Sequence, residues 1–139
     1  MHIMFLCTGN SCRSQMAEGW ARQLAPSSIQ VESAGIEPRG KNPFAIAVMA
    51  EAGVDISKQE STKLVSSMLA WADVVVTVCG DADENCPVLP AHVHKIHWPL
   101  NDPAKATGTE EEITAVFRKS RDDIRQRVQQ LISELAATA

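Results

Sequence analysis

Residues 7–14, Cys-Thr-Gly-Asn-Ser-Cys-Arg-Ser, follow the apolar run Ile3-Met4-Phe5-Leu6 and open a helical stretch over 15–24, an order that constrains the fold more than any other feature of the chain. A loop running from a strand straight into a helix start turns several unpaired backbone N–H groups inward, where they and the positive end of the helix dipole hold tetrahedral anions. Arg13 adds a planar fork that takes two oxygens at once. A helix start and a guanidinium also lower a cysteine pKa from its ordinary value of about 8.5, so the expectation is a Cys7 thiolate at neutral pH. Gly9 offers positive φ, Asn10 and Ser11 can brace the loop with side-chain hydrogen bonds, and Ser14 can donate to Cys7. Thr8, Gly9, Asn10, Ser11, Cys12, Arg13 and Ser14 are therefore the expected oxyanion-binding residues around the nucleophile. Cys12 has no evident chemical task and reads as a small packing residue.

The rest of the chain bounds what can surround this loop. At 139 residues and 45% hydrophobic it can bury one good core but not two, so one domain over 1–139 is expected. Thirteen basic residues against seventeen acidic ones leave a formal charge of -4, which gives no general field for a nucleic-acid backbone or an anionic membrane, so the anion site must be local. The apolar start is too short and lacks the basic residues of a secretory signal, and nothing later has the length of a membrane span, so a cytoplasmic protein is expected. In a reducing compartment four cysteines read as reactive or metal-binding thiols rather than structural disulfides.

Strands and helices alternate. Strand patterns are read at 3–6, 29–33, 73–78 and, more weakly, 95–98; helices at 15–24, 43–52 with Gly53 as stop signal, 64–71 and 110–135. The last helix is expected to turn Ile113, Val116, Phe117, Ile124, Val128, Leu131, Ile132 and Leu135 inward. Val74-Val75-Val76 is apolar without alternation, as in a strand covered on both faces. This predicts an α/β fold, a doubly wound, flavodoxin-like parallel sheet with helices on both faces. Ligands of such sheets sit beyond the carboxyl ends of strands, where both Cys7 and Cys79 fall.

Two further groups carry chemistry. Cys79 and Cys86 bracket Gly-Asp-Ala-Asp-Glu-Asn after a strand; a disulfide between them requires Cα atoms within about 7 Å, so the intervening chain must fold back. Zinc is a competing reading because His92, His94 and His97 follow, but the spacing matches no standard finger and on a strand His92 and His94 would point the same way without His97. Asn101-Asp102-Pro103 is an ordinary turn starter in isolation; beside the Cys7 loop, Asp102 could donate a proton to a departing oxygen.

Taken together, residues 7–20, Ser33-Ala34-Gly35-Ile36, 79–87 and Asp102-Pro103-Ala104 make the chain similar, over nearly its whole length, to the thioredoxin-coupled arsenate reductases. That family shares the fold of low-molecular-weight protein tyrosine phosphatases. The resemblance implies that Cys7 attacks arsenate, Arg13 holds the oxyanion and Asp102 protonates the leaving oxygen. It further implies that Cys79 attacks the Cys7 sulfur, releasing arsenite and leaving a Cys7–Cys79 disulfide, which Cys86 converts to Cys79–Cys86. Residues 80–85 should loop out or partly unwind between these steps. Thioredoxin or a similar dithiol protein would reduce the final pair, with no nucleic acid, no membrane and no second copy required.

Some members of that family bind potassium through groups matching Asn10, Glu18 and Ser33 and a Thr-x-Asp pair, where this chain has Glu60 and Thr62. The exchange alters the oxygen geometry, so no metal and no cofactor is assigned, and Glu18 stands between metal binding and a buried partner of the loop. A tyrosine phosphatase is the alternative enzyme, with the same loop and the same acid. Against it stand the absence of tyrosine, an aromatic content of 4%, Ala104 after the Asp-Pro, and two cysteines without work in hydrolysis. A redox or anion sensor is the non-enzymatic alternative, but no partner surface is visible in the sequence.

Overall fold

His2–Cys7 forms the first strand, β1, and four of its six residues are buried with no exposure at all, on both sides of the pleat. Consecutive burial of Ile3, Met4, Phe5 and Leu6 means both faces of the strand are covered, which places β1 in the middle of the sheet. The computed structural model describes residues 1–79, 86 and 88–138. In it β2 (Gln30–Gly35) pairs with one edge of β1 and β3 (Val74–Thr77) with the other, while β4 (His94–His97) pairs with β3, all in parallel. The order β2-β1-β3-β4 makes the carboxyl end of β1 the switch point between chain running to one side and chain running to the other. The expected doubly wound α/β sheet is what forms.

Helix α1 (Arg13–Leu24) begins at once after the loop and packs on β1 and β2. Helix α2 (Pro43–Glu51) starts where Asn42 Oδ1 accepts from the Phe44 N–H at 2.9 Å with proline as its first residue, and it stops at Gly53, whose φ of 85° needs a residue without Cβ. Helix α3 (Ser66–Trp71) lies against β1, with Trp71 stacked on His2 at 4.3 Å. The long α4 (Glu110–Thr138) opens on a capping box in which Thr109 Oγ1 accepts from the Glu112 N–H at 3.1 Å and the Glu112 carboxylate reaches back to Thr109. It packs on α1 and α2, where Trp20 Nε1 donates to Arg121 O and Phe44 stacks on Phe117 at 5.5 Å. No helix among the described residues is long and apolar enough to cross a membrane.

Element bounds shift by one to three residues from the pattern read in the sequence, and two differences have a visible cause. The third helix starts at Ser66 rather than at 64, because Leu64 donates to Gly35 O and Gly35 to Thr62 O, holding residues 62–64 as an extension of the β2 edge. Val116 is 43% exposed instead of facing inward; the buried row on α4 runs through Phe117, Ile124, Val128 and Leu131, and Val116 falls at its margin.

Gly35 closes the sheet against the loop. A Cβ there would lie 2.8 Å from Thr8 O and 2.9 Å from both Asn10 N and Asn10 Cβ, with backbone on two sides that cannot yield cheaply. Gly35→Ala is expected to lower unfolding free energy by about 1–3 kcal/mol, as overpacking in a tight site does, measured by urea denaturation; an unchanged midpoint would show that the loop shifts freely.

Candidate active site

The loop from Cys7 to Arg13 is held by its carbonyls. Ile36, Glu37, Arg39 and Asn42 donate their backbone N–H groups to the carbonyls of Cys7, Thr8, Gly9 and Ser11 at 2.8–3.2 Å, and Gln15 Nε2 donates to Asn10 O at 3.1 Å. Each carbonyl from Cys7 to Ser11 thus has a partner behind the loop, which leaves the intervening N–H groups to face the opposite side, as an anion cradle at a helix start requires. The left-handed position of this loop is Asn10, with φ 46°, and not Gly9 as the sequence suggested. Asparagine is among the non-glycine residues found there most often, and here its amide is held by Ser14, Ser33 and the Thr62 N–H. Gly9 instead lets the Arg39 stem approach closely, its Cδ lying 3.3 Å from the position a Cβ would take.

Cys7 ends β1 and is 3% exposed. Its sulfur receives the Asn10 N–H at 3.0 Å and lies 2.8 Å from Ser14 Oγ. Asn10 Nδ2 donates to Ser14 Oγ at 2.8 Å and to Ser33 Oγ at 2.9 Å, and Ser33 Oγ donates to Glu18 Oε1 at 2.5 Å. Since Ser14 already accepts from Asn10, its own hydroxyl hydrogen is available to the sulfur, so Cys7 sits at the receiving end of two donors. The Ser11 hydroxyl braces only its neighbour in the loop, reaching Cys12 Sγ at 3.7 Å. Glu18 is buried, and its second oxygen accepts from Arg22 Nε at 2.9 Å, so the protein itself supplies a cation at this carboxylate.

Arg13 is the first residue of α1 and is 12% exposed; its guanidinium donates to Leu100 O at 3.0 Å and lies 3.6 Å from Asp102 Oδ2. Asp102 caps the short turn Pro103–Lys105, accepting from the Ala104 N–H at 3.0 Å through Oδ1, which leaves Oδ2 toward Arg13. Cys7, Arg13, Asp102 and Cys79 all line one cavity of about 910 Å³, together with Arg39 and Lys105.

Cys79 reaches this cavity through strand register. Leu6 pairs with Thr77, and two residues further along each chain Thr8 Oγ1 lies 3.2 Å from Cys79 Sγ. Cys86 is half-buried against the core and is not among the described residues that line the cavity; residues 80–85, for which the sequence predicted movement, lie outside the described residues. Cys12 is 3% exposed, and burial pushes its thiol up to about 11, helped by the nearby Asp102 and Cys7 and opposed by Ser11 and Arg13. Sequence reasoning missed Arg39 and the whole 36–42 segment as the rear support of the loop. The Asn42-Pro43 helix start was the one local signal that chain there is anchored.

The sequence matches the family of low molecular weight phosphotyrosine protein phosphatases over residues 2–139. It is 55% identical over 128 residues to an arsenate reductase of Bacillus subtilis, covering 92% of each chain, and 53% identical to one from Oceanobacillus iheyensis, covering 91% of each. Among solved structures, an arsenate reductase in the phosphate-binding state superposes with a TM-score of 0.74 at 36% identity, over 96% of this chain and 97% of the other. A thioredoxin-dependent arsenate reductase of Corynebacterium glutamicum gives 0.80 at 26% identity; this chain is matched over 99% of its length and spans 63% of that one. An arginine phosphatase of Geobacillus stearothermophilus, at 22% identity and a TM-score of 0.82, shares the fold. With its parallel sheet, its anion loop at the end of β1 and a family match that spans 138 of 139 residues, the chain belongs to the low molecular weight phosphotyrosine protein phosphatase family.

Proposed function

We infer that this chain is an arsenate reductase that moves two electrons from its own cysteines to arsenic. One observation carries the reading: Cys79 Sγ stands 3.2 Å from Thr8 Oγ1, the hydroxyl of the residue after Cys7, in the same cavity as the Cys7 sulfur. Hydrolysis of a phosphate ester has no use for a second thiol there, whereas reduction by displacement needs one. The described residues lining the cavity also include no aromatic ring that could stack on a phosphotyrosine.

The steps balance as follows. Arsenate sits in the loop amides with Arg13 on two of its oxygens, and the Cys7 thiolate attacks arsenic while Asp102 gives a proton to the departing oxygen, which leaves as water. The Cys79 thiolate then attacks the Cys7 sulfur. An S–S bond forms, the S–As bond breaks, and its electron pair stays on arsenic, which leaves as arsenite. Cys86 attacks Cys79, expelling Cys7 as thiolate, and an external dithiol protein of the thioredoxin type reduces the Cys79–Cys86 pair. Ser14 and the Asn10 N–H hold the Cys7 sulfur as attacking and as leaving group, and Thr8 does the same for Cys79.

Reacting the fully reduced protein once with arsenate and mapping alkylated cysteines by mass should yield one arsenite per chain, a Cys79–Cys86 disulfide, and Cys7 and Cys12 as thiols. Four intact thiols and no arsenite would refute the relay and leave a phosphatase or a reductase that needs an external thiol. Thr8→Val is expected to slow arsenite release about tenfold, the worth of one hydrogen bond to a charged sulfur, without changing phosphate affinity; equal turnover would remove Thr8 from the second step. The raised Cys12 value carries its own test. Below pH 9 this thiol is protonated folded and unfolded alike, while between 9 and about 11 it ionises in the unfolded chain alone, so its burial destabilises the fold as pH rises. Relative to Cys12→Ala, the native protein should lose roughly 2–3 kcal/mol of stability across that interval in paired denaturation curves, two pKa units at about 1.4 kcal/mol each.

A further inference from the structure

The cavity above the loop, at about 910 Å³, is far larger than one tetrahedral oxyanion, and its lining includes two cations with no part in the steps above, Arg39 and Lys105. Arg39 is fixed at its base and loose at its tip. Its backbone N–H donates to Gly9 O at 2.9 Å, and its stem lies across Gly9, with Cδ 3.3 Å from where a Cβ would stand. The side chain is 64% exposed, and its ion pair with Glu37 spans 3.8 Å between two solvated groups, an interaction that costs little to break. Arg13 is in the opposite condition, 12% exposed and already engaged by Leu100 O and Asp102. The protein as a whole carries a formal charge of -4 and repels a dianion at a distance, so a substrate anion needs local positive charge on its way in.

We propose that Arg39 is a specificity residue of this site, which draws a tetrahedral dianion to the cavity and holds its outer oxygens while the loop amides and Arg13 take the inner ones. Lys105, from the turn after Asp102, adds a second charge to the same cavity. The absence of a side chain on Gly9 is what lets the Arg39 stem lie along the loop. The discrimination is by charge: dianions gain over monoanions of similar size, and arsenate and phosphate gain alike. This rests on the oxyanion reading of the loop but not on the fate of the arsenic.

The test is isothermal titration of inorganic phosphate into the full-length reduced protein at low and high ionic strength, with wild type, Arg39→Gln and Arg39→Lys. Arg39→Gln should weaken phosphate binding about three- to tenfold at low salt and flatten its salt dependence, and Arg39→Lys should restore most of both. Both substitutions keep the backbone bond to Gly9. Equal losses in the two variants with an unaltered salt slope would make Arg39 a structural support of the loop and overturn the proposal, as would wild-type affinity in Arg39→Gln. Arsenate turnover is measured separately: Arg39-dependent phosphate binding without arsenite formation would leave this inference standing and sink the reductase reading alone.

Discussion

Asn10 is fully buried at φ 46°, and its amide uses every hydrogen-bonding group it has: Nδ2 on Ser14 and Ser33, Oδ1 under the Thr62 N–H. A non-glycine residue in the left-handed region costs on the order of 1–2 kcal/mol, so it persists where the surroundings over-determine it. Here the strained backbone is what turns the Asn10 N–H onto the Cys7 sulfur. Glycine would reach the same φ without strain but would forfeit three buried hydrogen bonds, and alanine would forfeit them and keep the strain. The nucleophile, the loop and the segment around Thr62 are tied together through this one side chain.

The bonds behind it have a forced direction. The Glu18 carboxylate can only accept, so Ser33 donates to it; the Asn10 NH₂ can only donate, so both Ser33 and Ser14 accept from it. Ser14 is then left with its own hydrogen pointing to Cys7. The acceptor at one end of the row, Glu18, sets the hydrogen-bond directions as far as the sulfur, and Arg22, four residues along the same helix, pairs with it at 2.9 Å. The potassium considered for this place in the sequence would meet a carboxylate that already has a cation beside it.

The regular parts of this arrangement were legible because they are local. The central strand, the loop and α1 follow from apolar runs, a glycine and a helix start, and Ser14 can meet Cys7 because the loop returns to the end of β1 within seven residues. Asp102 is legible as a turn starter and gains a chemical reading only from the loop; in the structure it lies 3.6 Å from Arg13. The parts that escaped depend on contacts between irregular segments, which leave no period in the sequence. Residues 36–42 hold the loop through backbone N–H groups, and a backbone donor has no residue type to announce it. Glycine in a loop suggests the left-handed position, yet Asn10 takes it and Gly9 is where the Arg39 stem comes close. Val116 was assigned inward by helical spacing, and a residue at the margin of a stripe is where that spacing is least decisive.

On the reductase reading proposed above, what separates reduction from hydrolysis at the same loop lies on a neighbouring element, β3, and depends on its register. Leu6 opposite Thr77 carries Thr8 and Cys79 to the same level, where hydroxyl and thiol meet at 3.2 Å. Side chains alternate along a strand, so a slip of one residue between β1 and β3 would present residue 78 or residue 80 at that level and turn the Cys79 sulfur to the other face. The three valines of β3 are interchangeable in such a slip, so the register is held at the two ends of the strand, where Asp73 Oδ2 accepts from the His2 N–H at 2.8 Å and the Val78 N–H donates to Leu6 O at 2.9 Å. The place of Cys79 beside the loop is thereby fixed by polar contacts at both ends of β3, one of them at the far end of the strand from the thiol.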